Sequence, residues 1–332
     1  MDYVDYLERV GRLRDDVIEK SGVKFVEGLK IWARYIITHI SLFQERNRYT
    51  VLPGVDVYDH QFVQELILNG CSNGVKLYEE LKARTAELCP PPMDQRIEIP
   101  VVKEGEYLSY HQVKHLVSKS LYDKLCRLYR RDSTERNQYI WLVLTLYQLL
   151  DGHSLQWAVP PSVMWIFKEK FNCDTDIFAS PLNTYNSKYY SLFYFDTYFG
   201  SRGNFFTAPD SDFTAGTFHV NPPFIVPVFT RTTARILELL GHAEETGNVL
   251  TFIYVMPDWT EFDTYNTVYM NRFGKKHIYI PAGKAYYHQY RTDTSILSTF
   301  GTHIFILSTA MDTICTDEIE QDILVKFGTK GR

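Results

Sequence analysis

Leu250-Thr251-Phe252-Ile253-Tyr254-Val255, the centre of an apolar run over 249–256, decides the fold. Its β-branched and aromatic residues, closed by Pro257, read as a strand. No polar-apolar alternation runs along it, so both faces are expected to be covered, as at the centre of a sheet with helices on each side. Working outward, β-rich runs at 173–179, 191–195, 217–220, 277–280 and 302–307 alternate with helical periodicity, as at Phe229, Thr233, Ile236 and Leu240. That alternation predicts an α/β domain over 158–332, built on a doubly wound parallel sheet.

Upstream the period changes. Phe25, Leu29, Trp32, Ile36 and Ile40 recur at helical spacing, and the signal returns at Phe62, Val63, Leu66 and Ile67 before Gly70, a natural stop. Pro90-Pro91-Pro92 breaks regular structure, and further helices are expected over 111–129 and 137–150, the second closed by Gly152. Residues 1–157 therefore read as an all-helical domain.

The longest apolar stretch, 139–150, is too short for a bilayer and is broken by Thr145 and Gln148, so no membrane span is expected. Met1-Asp2-Tyr3-Val4-Asp5 lacks the features of a secretory signal, which predicts an intracellular protein with nucleus or cytoplasm left open. The cysteines, Cys71, Cys89, Cys126, Cys173 and Cys315, show no CxxC spacing, and no metal is assigned. A net charge of −5 argues against indiscriminate coating of nucleic acid, which is mostly phosphate neutralisation. Any such contact must be local, and residues 114–136 carry seven basic against three acidic residues. That stretch is a candidate phosphate-facing surface, with a solvated helix face as the alternative.

In doubly wound folds ligands bind beyond the C-terminal ends of the strands. The strand at 217–220 runs into Asn221-Pro222-Pro223-Phe224. An exocyclic adenine amine is a poor nucleophile because its lone pair is delocalised into the ring. The Asn221 side-chain oxygen and the Pro222 carbonyl can accept its two hydrogens and favour the pyramidal nitrogen that attacks a methyl sulfonium. The prolines fix φ and so aim these acceptors, while Phe224 offers a face to an extruded base. An ordinary proline turn is the alternative.

Asp176-Ile177-Phe178-Ala179-Ser180-Pro181-Leu182-Asn183 is the expected nucleotide-like cofactor loop, with Phe178, Ala179, Ser180, Pro181 and Asn183 as candidates. It lacks Gly-x-Gly spacing, and a capped loop is the alternative. Asp196, read as the end of the second strand, is the candidate for the ribose hydroxyls of S-adenosylmethionine, or else a surface Asp. Gly200 and Gly203 permit a tight turn, and Arg202 can reach phosphate or carboxylate. Trp259, in Met256-Pro257-Asp258-Trp259, either stacks on a base or packs the core. Lys275, Lys276, His288 and Arg291 lie among Phe273, Tyr279, Tyr286, Tyr287 and Tyr290, a composition found in single-strand RNA grooves. His219 and His288 have no partner at metal-ligand spacing and read as structural or substrate-edge residues.

Phe178 to Asn183, Tyr198-Phe199-Gly200-Ser201-Arg202-Gly203, Asn221 to Phe224 and Met256 to Trp259, in this order, resemble the cap-specific adenosine N6-methyltransferases, the phosphorylated-CTD-interacting-factor family. The resemblance is close over 173–260 and looser upstream. It implies a Rossmann-like class I methyltransferase sheet preceded by an all-helical domain. It also implies methyl transfer from S-adenosylmethionine to N6 of 2′-O-methyladenosine beside the 7-methylguanosine cap of mRNA. Asn221, Pro222, Pro223 and Phe224 become the catalytic loop, residues 178–183 the cofactor loop, and 200–203 a border of cofactor or substrate. The expected partner is 7-methylguanosine-capped RNA beginning with adenosine. Arg127, Arg130 and Arg131 from one half and Lys275, Lys276 and Arg291 from the other are expected to grip its triphosphate in a cleft between the halves. The paired tryptophans of the animal proteins' WW module have no counterpart here, so docking on a polymerase tail is unsupported. Two other readings stay open, an adenine N6-methyltransferase acting on DNA or internal RNA sites and a non-catalytic cap-binding scaffold.

Overall fold

The computed structural model describes residues 3–43, 50–53, 59–88, 100–150, 157–290, 293–312 and 315–331. Cys89, Pro90 to Pro92, Gly152 and Arg291 lie outside them. The chain divides into two compact units. The first holds Met1–Val117, Arg131–Leu155 and Phe193–Phe195, and the second Ser118–Arg130, Gln156–Leu192 and Asp196–Arg332.

In the first unit, α1 (Tyr3–Ser21) buries Tyr6, Leu7, Val10, Leu13 and Val17, a single stripe at helical spacing. It is followed by α2 (Phe25–Phe43), α3 (His60–Leu68) and α4 (Gly74–Glu87). The Asp59 side chain caps α3 by accepting from Phe62 N, and Gly70 takes φ +101° just after its end, as the sequence predicts for a stop there. The unit is not all helical. Residues 102–116 form an antiparallel sheet of β1 (Val102–Glu104), β2 (Tyr107–Tyr110) and β3 (Val113–Leu116). The helix expected over 111–129 is therefore shorter: Ser118 caps α5 (Lys119–Leu128). Gly105 and His111, with φ of +58° and +49°, turn this segment into two hairpins. His115 Nε2 then meets Thr145 Oγ1 at 2.8 Å, and Trp141 Nε1 donates to Val113 O, both on α6 (Arg136–Leu149).

No single cut near residue 157 separates the units. Residues 118–130 go with the α/β residues because Lys124 Nζ donates to Leu182 O and Arg130 N to Tyr198 O. The second unit continues through β4 (Trp157–Ala158), α7 (Pro161–Phe171), β5 (Cys173–Asp176), β6 (Lys188–Tyr189), β7 (Gly216–Val220), α8 (Val226–Glu245) and β8 (Leu250–Pro257). It ends with α9 (Asp263–Tyr269), β9 (Gly274–Ile280), β10 (Tyr286–Gln289), β11 (Thr294–Leu297), β12 (Thr302–Ser308) and α10 (Asp317–Phe327). Six strands form one sheet in the order β6-β5-β7-β8-β12-β9. Ser201 adds a single parallel bridge to Tyr189 outside β6.

The sheet is mixed, where a parallel one was expected. β6, β5, β7 and β8 are parallel, but β12 is antiparallel to both of its neighbours. The chain passes from β9 to β12 through the β10–β11 hairpin with no crossover helix, so it returns in the opposite direction. The run at 191–195 is not a strand either; residues 194–199 form a 3-10 turn. Its aromatic alternation serves packing in the first unit, where Phe193 meets Tyr147 and Phe195 meets Tyr3, both with ring centres 5.1 Å apart.

All eight residues of β8 are buried. Phe252, Tyr254 and Met256 join Phe229, Ile236 and Leu240 of α8 in one cluster. Ile253 and Val255 join Val163 and Phe167 of α7 and Ile323 and Phe327 of α10 in another. The centre of the sheet is thus covered on both faces. Among the described residues no helix is long and apolar enough to cross a membrane.

Phe252→Ala should destabilise the second unit by about 3–5 kcal/mol, whereas Val249→Ala, at a position 57% exposed, should change stability by less than about 0.5 kcal/mol. Chemical denaturation followed by tryptophan fluorescence checks the contrast.

Candidate active site

The neighbouring parallel strands β5 and β7 end level with each other, Asp176 opposite His219. Asp176 is buried and uses both carboxylate oxygens. One accepts from Phe178 N at 2.9 Å and fixes the start of the loop after β5; the other meets His219 Nδ1 at 2.9 Å and fixes the end of β7. Backbone bonds from Ile177 N to His219 O and from Ala179 N to Tyr190 O extend the sheet into that loop.

The loop is stapled internally. Asn183 Oδ1 accepts from Ser180 N at 2.7 Å and Ser180 Oγ at 3.0 Å, and Ser180 Oγ accepts from Asn183 N at 3.2 Å. Ser180 and Pro181 are buried, so they and Asn183 shape the loop, while Phe178 and Ala179 stay partly open. Phe178 leans on Phe205 and Phe206 at 5.5 and 5.7 Å.

Beyond β7, Pro223 O accepts from Ile225 N at 2.7 Å, which tightens the turn that carries Asn221. Asn221 Oδ1 is buried and has no hydrogen-bond partner. Asn221 lines a cavity of about 10 Å³, room for about one water, together with Phe178, Asn183, Tyr185, His219 and Tyr290. His219 Nε2 is likewise buried and unbonded. An unmet buried acceptor costs about 1–3 kcal/mol, which makes Asn221 Oδ1 a candidate to receive a donor. Phe224 is half-buried in an aromatic cage with Phe300, Phe229, Trp259 and Tyr287 at 5.3 to 6.3 Å. Trp259 is thus brought to the Asn221 loop. Its neighbour Asp258 is held below the usual carboxylate range by His303, against the effect of burial, with Tyr279 also donating to it.

Other candidates fall elsewhere. Asp196 is fully buried in the 194–199 turn beside Tyr189, and its main-chain oxygen accepts from Ser201 N, so its carboxylate is closed to solvent. Gly200 and Gly203 both take positive φ, near +93°, and a Cβ on Gly200 would fall 2.6 Å from the Arg130 guanidinium. Arg130 therefore lies flat on the Gly200 backbone, an approach that only glycine permits. Arg202 is exposed and bonds the Tyr190 phenol, which burial pushes up to about 12. Lys276 is committed to α10, with Glu320 at 2.5 Å and Asp317 at 3.1 Å, and lies three strands from β7. Lys275 is exposed on the same edge strand. Arg127 is exposed in the same unit as Asn221, whereas Arg131 belongs to the first unit. Among the described residues no cluster of His, Cys, Asp and Glu could hold a metal ion.

The Asp176–His219 pair escaped the sequence reading, although both residues sit in motifs it singled out. An Asp at the end of one strand and a His near the end of the next parallel strand were the available signal.

A family model described as "Phosphorylated CTD interacting factor 1 WW domain" matches residues 118–291, from α5 into the segment after β10. A protein of Mus musculus named mRNA (2′-O-methyladenosine-N(6)-)-methyltransferase is 32% identical over 219 residues, which cover 61% of this chain and 29% of the relative. A Homo sapiens protein of the same name is 30% identical over 219 residues with the same coverage. The chain thus spans under a third of the length of these curated relatives. The family match takes in more than half of the sequence and the whole of the Asp176 to Trp259 region, and the chain belongs to the phosphorylated CTD interacting factor 1 family.

Proposed function

We propose that this chain transfers a methyl group from S-adenosylmethionine to N6 of 2′-O-methyladenosine beside the 7-methylguanosine cap of mRNA. The observation that carries this reading is the buried, unbonded Asn221 Oδ1 at the end of β7. The names of the mouse and human relatives support the substrate. The run of parallel strands with one antiparallel strand inserted near the far edge supports a Rossmann-like methyltransferase sheet.

The residues present fit such a donor. The loops after β5 and β6 hold partly open Phe178 and Ala179 and the positive-φ Gly200, at the strand ends where this kind of fold takes nucleotide-like ligands. Phe178, Ala179 and the 200–203 turn would hold it, with Ser180, Pro181 and Asn183 keeping the loop in shape. When bound, S-adenosylmethionine supplies an electrophilic methyl on a sulfonium. Asn221 Oδ1 accepts one hydrogen of the adenine amine, and the Pro222 carbonyl is the expected acceptor for the other. Accepting both hydrogens draws the lone pair out of conjugation and aims it. Phe224, braced by its aromatic cage, offers the base a face. His219, which lines the same cavity with its ring oriented by Asp176, presents Nε2 as an acceptor for the proton that N6 releases.

Asn221→Ala should lower the transfer rate by about a hundredfold or more while cofactor affinity stays near normal. Single-turnover assays with methyl-labelled cofactor, paired with calorimetric binding of the cofactor, check both parts. Near-normal turnover in the variant would remove Asn221 from the reaction.

Offered RNAs that begin with A or G, each capped or uncapped, the protein should label only the capped RNA that begins with A. Digestion and mass spectrometry locate the methyl. Equal labelling of uncapped RNA or duplex DNA would replace the cap-specific reading with a general adenine N6-methyltransferase. Cap binding without turnover would leave a scaffold.

A further inference from the structure

We propose that a groove in the second unit, lined by Lys124, Arg127, Tyr185, Asn186 and Tyr290, binds a phosphate and base of the nucleotide flanking the target adenosine in single-stranded RNA. The proposal rests on the methyltransferase reading for its target. Tyr185 and Tyr290 line both this groove and the small cavity at Asn221, so the two adjoin, and a strand lying in the groove passes beside the Asn221 turn. The buried side chain of Asn186 is 6% exposed, and its Nδ2 has no acceptor. A ligand oxygen would complete it.

Two cations accompany that open donor. Lys124 Nζ donates to Leu182 O at 2.9 Å and sits 4.2 Å from the centre of the Tyr290 ring, which leaves further ammonium hydrogens for a ligand. Burial and then the Arg127 charge push the Lys124 amine down to about 7, with Asp293 acting in the opposite sense. Asp293 is the groove's only carboxylate among the described residues and is already engaged by His288 Nε2 at 3.3 Å and Ser120 Oγ at 3.4 Å. Arg127 is exposed and has no carboxylate partner among the described residues. The eleven-residue helix α7 also begins here, at Pro160, Pro161 and Ser162, with no side-chain cap on its N-terminus. These features together suit a phosphate. Tyr185, 39% exposed, supplies a ring on which a neighbouring base can stack.

The test measures binding of a short, fluorescein-labelled, adenosine-containing oligoribonucleotide to the full chain by anisotropy, with salt and pH varied and inorganic phosphate as competitor. Arg127→Ala should weaken binding and lower the slope of log affinity against log salt by about 0.7, the loss of one single-strand phosphate contact. Affinity should fall as pH rises through about 7, because the amine that holds phosphate loses its proton, and Lys124→Met should abolish that dependence. The groups that line the groove with Lys124 are Arg127, Asp293, His288, Tyr185 and Tyr290; burial holds His288 below its ordinary value, against the pull of Asp293 and with the Lys124 charge acting in the same sense as burial. Tyr185→Ala should weaken the oligonucleotide but not competition by phosphate, and Asn221→Ala should leave the salt slope unchanged. A wild-type slope in both Arg127→Ala and Lys124→Met overturns the groove. Phosphate competition with no effect of Tyr185→Ala on the oligonucleotide marks a free-anion site and overturns the RNA assignment. Binding that the groove variants abolish supports the groove even where no methyl is transferred, a result that would count against the methyltransferase reading alone.

Discussion

The Asp176 carboxylate draws the ends of β5 and β7 together, and the geometry of both adjoining loops depends on it. One of its oxygens sets the direction of the chain at Phe178, and the other holds the His219 ring two residues before Asn221. Because both strands are parallel and in register there, a single buried side chain fixes the two loops that fold families of this kind use for ligands. The surrounding layers make that tie rigid. β8 is buried along its whole length, so β7, paired with it over five residues, has no room to slide.

Around this fixed point the structure leaves some polar groups unmet. Asn221 Oδ1, His219 Nε2 and Asn186 Nδ2 are buried without partners, whereas Ser180 and Asn183 satisfy each other. The satisfied pair holds the shape of its loop, and the three open groups belong to residues that line cavities. Each open group costs stability in the free protein and returns it when a ligand binds, the usual trade at functional sites. The aromatic cage around Phe224 has the complementary task of keeping one ring in place without spending any hydrogen-bonding group.

The central strand, the helix after Phe224 and the Asn221 turn were legible because each is local: an unbroken apolar run, a helical period, a proline-locked turn. The reading failed where a pattern served a longer-range partner. Phe193 and Phe195 alternate like a strand but pack in the first unit with Tyr147 and Tyr3. Residues 102–116 form hairpins at Gly105 and His111, which both take positive φ, and His111, not being glycine, gives no turn signal in the sequence. The direction of β12 follows from a missing crossover helix rather than from its own residues. In the site, Asp196 reads as the end of a strand over 191–195, but residues 194–199 are a 3-10 turn and the edge strand is the separate pair Lys188–Tyr189. Lys276 read as free positive charge because its partners, Asp317 and Glu320, lie more than forty residues ahead on α10. Asp176 and His219 are 43 positions apart, and only the sheet register brings them together.

The most direct measurement is a crystal structure of the protein with the demethylated cofactor product and a capped dinucleotide whose first transcribed residue is 2′-O-methyladenosine. The adenine N6 should lie within hydrogen-bonding reach of Asn221 Oδ1, about 2.8–3.2 Å, with the base against Phe224. An adenine bound elsewhere, with Asn221 Oδ1 still unbonded, would contradict the assignment of that acceptor as the reason for the site.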